Sequence, residues 1–324
     1  VFVLHVRDVN EALPKGIALL KTHGVRRESR NGPVLEAPEP VTTVYTIPQR
    51  RVLFCPVRDA NPFFHLFEAL WMLAGRNDVA FPAKFAKNML NYSDDGETLN
   101  GAYGFRWRNW FGRDNLQRVI DALKTDPDTR RAYLPMWDGW LDGWPVGAAN
   151  TMSQDYPCNV GVNFRLRSKR LHMTVFCRSN DIIWGCYGAN VVHFSMLQEY
   201  VASHLKVTCG TYTQVSDSFH AYCDRPDWAK LSHPNSGAYE DPYYDAWYMR
   251  LLQYGENISE FDRDLKNFFH QQDHPDSLRF HRTEFFCKVV IPMLAAWENR
   301  DPKHLHQELL DWHIAGRAWL ERRA

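Results

Sequence analysis

The chain is short of the features that mark several broad classes of protein. Its seven cysteines (Cys55, Cys158, Cys177, Cys186, Cys209, Cys223 and Cys287) are scattered, odd in number and without a CxxC pair. This argues against a disulfide framework or a cysteine zinc site and favours a reducing compartment. No metal is expected. No stretch approaches the ~20 consecutive apolar residues of a membrane span, so a soluble cytoplasmic protein is expected, in a host's cytoplasm if the source is viral. Neither charge is in excess, with 38 Lys and Arg against 38 Asp and Glu. Without a basic field, bulk nucleic-acid binding is not expected, although a small phosphate patch remains compatible. Repeats and low-complexity linkers are also missing. The 324 residues suffice for a substantial core and read as a single domain, 1–324, helical from about residue 225.

What stands out instead is residues 155–190, DYPCNVGVNFRLRSKRLHMTVFCRSNDIIWGCYGAN. Val160, Val162, Phe164 and Leu166 alternate with other residues, and Leu171, Met173, Val175 and Cys177 do so after a basic turn. This predicts a β-hairpin with one apolar face on each strand. Pairing Leu166 with Leu171 sets Phe164 opposite Met173, Val162 opposite Val175, Val160 opposite Cys177 and Cys158 opposite Ser179. Opposed residues in an antiparallel ladder lie roughly 5 Å apart. A thiol, a candidate nucleophile, thus meets a candidate anion site at Arg178 and Ser179. In ideal register Arg178 points away from Cys158, so the second strand is expected to bend or end near Cys177.

The flanking chain reads as further sheet and helix. A helix is expected over residues 10–23, followed by the basic loop VRRESRNG, and strands over residues 41–54. Residues 61–75, NPFFHLFEALWMLAG, make a broadly apolar helix in which Glu68 is costly unless paired or functional. Residues 114–124 form an amphipathic helix ending at DPDTRRAY, where Arg130 and Arg131 offer several directed donors to a phosphate. Asn190 stands where an N-cap belongs, and the helix after it carries His193 and His204, read as ordinary helix residues. A strand over 208–222 brings up Asp217, His220 and Tyr222, and helices are expected at 258–269, 283–297 and 302–321.

Six motifs in order resemble the thymidylate synthase superfamily, which includes the pyrimidine nucleotide hydroxymethylases. FEALWMLAGRND is similar to its glutamate helix, GAYGFRWRNW to its tyrosine and tryptophan turn, and DPDTRR to its arginine pair. YPCN resembles the nucleophile, RSND the phosphate and folate corner, and DSFHAY the ribose-binding strand. Together they span roughly residues 20 to 225, and six in order carry far more weight than any one alone. The resemblance implies an α/β (α+β) fold with a large mixed β-sheet flanked by helices, and a sheet-mediated homodimer with shared active sites.

Carried over by position, the resemblance makes Cys158 the thiol that adds to carbon 6 of a pyrimidine and turns carbon 5 into a nucleophile. Arg178 beside it is expected to favour thiolate. Arg30, Arg178 and Ser179 stand for phosphate ligands, with Arg130 and Arg131 reaching in from a partner subunit. His220 and Tyr222 stand for the sugar-hydroxyl pair, and Asp181 and Gly185 for folate contacts. Glu68 organises water and protons at the base, Tyr103 belongs to a proton-transfer network, and Asn190 reads the base. An asparagine amide matches uracil, whereas aspartate would better suit cytosine.

The departures bear on product. GCYGAN is one residue longer than the family's usual arginine-to-asparagine spacing. Met89 and Tyr92 stand where thymidylate synthases carry tryptophans, Asn159 follows the nucleophile in place of histidine, and GRAWLERRA lacks the apolar closing tail. A methylating enzyme must keep water from the exocyclic methylene intermediate until hydride arrives. Weaker exclusion points to water addition, and so to a nucleoside monophosphate 5-hydroxymethylase using methylenetetrahydrofolate, with dUMP as first substrate and dCMP or CMP next. The alternatives are thymidylate synthase and a non-catalytic nucleotide- or RNA-binding member.

Overall fold

The computed structural model describes residues 1–143, 153–233, 239, 241–244, 247–277, 279–305 and 310–324. Among these, eight strands share one sheet: β1 (Phe2–Val6), β2 (Val25–Arg27), β3 (Val34–Glu36), β4 (Val41–Tyr45), β5 (Tyr133–Pro135), β6 (Asn159–Arg167), β7 (Arg170–Asp181) and β8 (Thr208–Tyr222). The order across it is β1-β4-β8-β7-β6-β5, with β3 pairing the far end of β8 and β2 pairing β3. β1 with β4 and β7 with β8 are parallel, and the remaining neighbours antiparallel. The result is the expected mixed α/β architecture.

Parallel β7 and β8 require a crossover. Residues between them supply it as a π-type turn, Ile182–Ala189, running into the helix Asn190–Leu205, which is buried without a break from Asn190 to Ala202. This helix covers the sheet face bearing Val162, Phe164, Met173, Val175 and Tyr212, all buried. The opposite face carries His172, Thr174, Phe176, Thr211, Thr213 and Val215, all partly exposed.

The β6–β7 hairpin keeps the expected register from Leu166↔Leu171 to Gly161↔Phe176, then shifts so that Asn159 faces Cys177. Ser168 and Lys169, both at positive φ (47° and 58°), close it in a two-residue turn whose backbone matches strand twist. Val160 is the extra residue of a β-bulge, which reverses the facing of everything beyond it. β7 therefore does not end near Cys177 but runs on to Asp181. The backbone N–H of Arg178 donates to the carbonyl of Cys158 at 2.9 Å, so Cys158 opposes Arg178, not Ser179.

The glutamate helix, Pro62–Leu73, starts where Asn61 accepts the N–H of Phe64 at 3.1 Å and Pro62 fills the first turn. Gly75, at φ 73°, follows its end. Every residue but Phe64 is buried, as befits a helix apolar nearly all round. The tyrosine turn packs against it so closely that a Cβ on Gly104 would lie 1.9 Å from the carbonyl oxygen of Met72. Glycine there sets Tyr103 beside the glutamate helix.

Two expected elements are shorter than their patterns. Only Val41–Tyr45 of residues 41–54 is strand. Beyond it Asn10 takes the place of a neighbouring strand, its amide bonding the carbonyl of Val52 and the N–H of Phe54. The stretch 302–321 breaks into a turn, Pro302–His304, and the helix Asp311–Glu321, and residues 306–309 lie outside the described residues. The C-terminal helices share the core of the sheet portion, with Phe67 stacked on Phe268 at 5.9 Å and Phe63 edge-on to Trp319 at 5.7 Å. No helix among the described residues is long and apolar enough to cross a membrane.

Candidate active site

The glutamate helix, the tyrosine turn, the start of β6, the ends of β7 and β8 and the start of the helix Asn190–Leu205 enclose a cavity of about 850 Å³. That volume suits a small-molecule site. Cys158, Arg178 and Arg30 line it together. The bulge brings the thiol and Arg178 to one side, and Arg178 is further fixed by its Nε donating to the carbonyl of Pro157 at 3.1 Å and by the ring of Trp137 5.2 Å away. Burial nevertheless pushes the Cys158 thiol upward, and Arg178 and Arg30 only partly offset it. This corrects the expectation of a favoured thiolate: within one chain, desolvation outweighs the nearby guanidiniums.

Two residues beyond Arg178 on β7, Asn180 Oδ1 accepts from Asn190 Nδ2 at 3.1 Å, and Asn180 Nδ2 donates to Ser216 Oγ at 2.9 Å. The pair holds the Asn190 amide in one orientation, with Oδ1 and one N–H left for a ligand. Asn190 is not an N-cap. Its φ and ψ (−61°, −38°) are already helical, and its N–H bonds to the carbonyl of Gly185, five residues back. The π-type turn is broken at Tyr187 and Gly188, and such turns are frequent at functional sites. A Cβ on Gly185 would come within 3.1 Å of both asparagine amides. The carboxylate of Asp181 accepts the N–H groups of Ile183 and Trp184, each at 3.2 Å, which caps the turn. Burial pushes its pKa up, against those bonds and His220.

Glu68 is buried, and its Oε2 lies 2.9 Å from Nε2 of His193. The contact lacks hydrogen-bond angles, so Glu68 Oε2 and both ring nitrogens of His193 are buried without a hydrogen-bond partner among the described residues. Such groups call for a ligand or water. Tyr103 stacks on Phe194 at 5.9 Å, and its pKa is raised well above normal by burial, then by Cys158.

At the β8 side of the cavity the polar groups form a relay. Ser218 donates to Glu36, which leaves its oxygen to accept from Nδ1 of His220 at 3.0 Å. Nε2 is then the acceptor available to a hydroxyl. Tyr222 stands edge-on to His220 at 5.5 Å, and its hydroxyl accepts from Asn31 Nδ2 at 3.5 Å.

A thiol, guanidiniums and a fixed amide now share one cavity, and the comparisons decide the lineage. Residues 21–241 match the family model for thymidylate synthase. The chain belongs to the thymidylate synthase family. It is also similar to the deoxyuridylate hydroxymethyltransferase of Pseudomonas phage M6, with 44% identity over 340 aligned residues, 99% of this chain and 94% of that protein. The enzymes of the same name from Bacillus phage SP01 and Delftia phage PhiW-14 are 40% and 32% identical. They cover 57% and 66% of this chain and 50% and 60% of their own lengths. Like its relatives, the chain is a one-carbon transferase.

Within this family frame, Glu68, Tyr103, Ser179, Asp181, Gly185, Asn190, His220 and Tyr222 join Cys158, Arg178 and Arg30 on the cavity wall. Arg130 and Arg131 do not: both are exposed and lie outside the lining. The sequence reading missed His193, which follows Asn190 by one helical turn and so shares its face. It also missed Asn180, a second amide beside Asp181, and Asp155, three residues before the nucleophile. Spacing from an assigned residue was the signal available in each case.

Proposed function

We propose that this chain transfers a one-carbon unit from methylenetetrahydrofolate to carbon 5 of dUMP and completes the reaction with water, giving 5-hydroxymethyl-dUMP. One observation carries the choice of water. Met89 and Tyr92 lie on the 3-10 helix Lys87–Tyr92, none of whose residues is buried, and they line the cavity that holds Cys158. Such an open wall does not keep water from a reactive methylene. The activity in the names of the phage relatives agrees.

In this reading Cys158 adds to carbon 6, and Arg30, Arg178 and Ser179 hold the phosphate. His220 and Tyr222 take the sugar hydroxyl, Glu68 with His193 orders water at the base, and Tyr103 moves the proton at carbon 5. The Asn190 amide, oriented by Asn180, presents an acceptor and a donor to the N3–H and O4 of uracil. Methylenetetrahydrofolate, when bound, supplies the carbon. The rim suits it, since the indole of Trp184 is 45% exposed over Arg58 beside Asp181 and Gly185, and each oxygen of Asp181 keeps a lone pair for a pterin N–H.

The site is completed by a second copy of the chain, a single domain throughout. The partly exposed face of β7 and β8 supplies a surface for sheet-on-sheet pairing, and Arg130 and Arg131 then reach the partner's phosphate. Added cations would also draw the Cys158 pKa down.

The deciding experiment is mass analysis of nucleotides after incubation with methylenetetrahydrofolate and a mixture of dUMP, dCMP, UMP and CMP. The expected product is dUMP plus one CH2O unit. A product heavier by CH2, with dihydrofolate released, makes the protein a thymidylate synthase. Failure to release tritium from dUMP labelled at carbon 5 makes it a binding member.

A further inference from the structure

Asp155 lines the cavity three residues before Cys158. Its Oδ2 accepts the N–H of Gly101 at 2.6 Å, in the turn leading to Tyr103, and its backbone carbonyl accepts from Asn100 Nδ2 at 3.0 Å. One oxygen and the backbone are thereby fixed. Oδ1 has no hydrogen-bond partner among the described residues, and the residue lines the cavity together with Cys158 and Glu68.

The groups around this carboxylate are Gly101, Arg106, Asp94 and Glu68, with Tyr103 and Cys158 also within its electrostatic reach. Arg106 is itself bound by Asp142. Burial pushes the Asp155 pKa up to about 6, against the Gly101 bond and Arg106 and with Asp94 and Glu68. A base of that strength is mostly ionised at neutral pH yet still takes a proton.

We infer that Asp155 is the base that deprotonates the water attacking the exocyclic methylene. This role rests on the proposed hydroxymethylation. The reaction removes a proton twice, first from carbon 5 and later from water, and groups in different settings divide such work. Tyr103, with the water ordered by Glu68 and His193, serves carbon 5, and Asp155 serves the attacking water. The water oxygen bonds to the methylene carbon, the C=C pair moves through carbon 5 onto the carbonyl as an enolate, and the water proton passes to Asp155. The enolate then restores the ring double bond and expels the Cys158 thiolate, and Asp155 returns its proton to solvent. No electrons are gained or lost.

Asp155→Asn tests this, because the amide oxygen can still accept from Gly101. Hydroxymethyl formation should fall about 100-fold, far more than tritium release from carbon-5-labelled dUMP. The covalent methylene adduct should accumulate in the protein's mass spectrum, and 2-mercaptoethanol, reacting as thiolate, should capture the methylene as a thioether. In the native protein the ratio of hydroxymethyl product to tritium released should fall as pH drops through about 6. An Asp155→Asn protein with an unchanged ratio overturns the role, as does a native ratio flat across that range should the variant fail to bind dUMP. If the native protein makes no hydroxymethyl product at all, the proposed function falls first and this role with it.

Discussion

The helix Asn190–Leu205 is in contact with two buried glutamates, Glu68 of the helix Pro62–Leu73 and its own Glu199, and the two behave differently. Near its start His193 faces Glu68, and nine residues beyond Asn190, on the opposite side, Glu199 faces Arg51. Burial does not separate them, since Glu68 is 7% exposed and Glu199 6%. Partners do. Glu199 pairs with Arg51 and accepts the N–H of Leu251 at 3.2 Å, and Tyr243 and Asp311, joined at 3.1 Å, also feel the charge of Arg51. Glu68 meets a histidine without a hydrogen bond, on the wall of a cavity. A buried charge whose bonds are complete belongs to the fold, and one left incomplete beside a cavity is poised for substrate.

The contrast predicts that lesions at the cavity end change chemistry and spare stability, and that lesions at the core end do the reverse. The largest expected effect is that of Cys158→Ser, which should cut tritium release on the order of 10⁴-fold with an unchanged melting temperature. Glu68→Gln should lower kcat about 10²- to 10³-fold at native stability, whereas Glu199→Gln, taking the paired carboxylate from buried Arg51, should cost about 3–5 kcal/mol in urea unfolding at native kcat. If the two glutamines exchange these phenotypes, the comparison is wrong.

Arg131→Ala should raise the KM for dUMP about 10- to 100-fold. Mixing it with Cys158→Ser should restore activity through hybrid dimers, and no recovery would show that each site is built from one chain. Asn180→Ala frees the Asn190 amide to turn, and selectivity for dUMP over dCMP should fall about ten-fold.

The smallest effect concerns pH at the core end. Burial pushes the Asp311 pKa up to about 7, against bonds from Trp312 and Tyr243 and against Arg51. A carboxyl whose folded pKa exceeds its unfolded one keeps its proton longer in the folded state. Stability therefore falls as pH rises from about 4 to about 7. Asp311→Asn should be about 1–3 kcal/mol more stable than native at pH 8, and the difference should vanish near pH 4.

Much of the central sheet was legible because strand alternation is a local property. The apolar positions of residues 160–177 set the register correctly from Leu166↔Leu171 to Val162↔Val175. Alternation cannot say where a residue loops out, so the bulge at Val160, and with it the true partner of Cys158, stayed hidden. The cap expected at Asn190 is the close of a π-type turn instead, and such a turn has no residue pattern of its own. His193 passed as an ordinary helix residue since its neighbours on every side are buried too, and such a helix has no polar stripe to single out a functional face.

By itself the sequence determined the α/β class, the order of the motifs, the hairpin and the family, all of which depend on residue type and near-neighbour spacing. Tertiary structure alone decided which groups meet. It put Arg178 opposite Cys158 through one bulged residue, set Asn180 to orient Asn190, left Glu68 unsatisfied against His193 while completing Glu199, and brought Asp155 to the cavity wall. Each of these depends on contacts between segments far apart in the chain, and on the balance of desolvation against charge that only a folded interior creates.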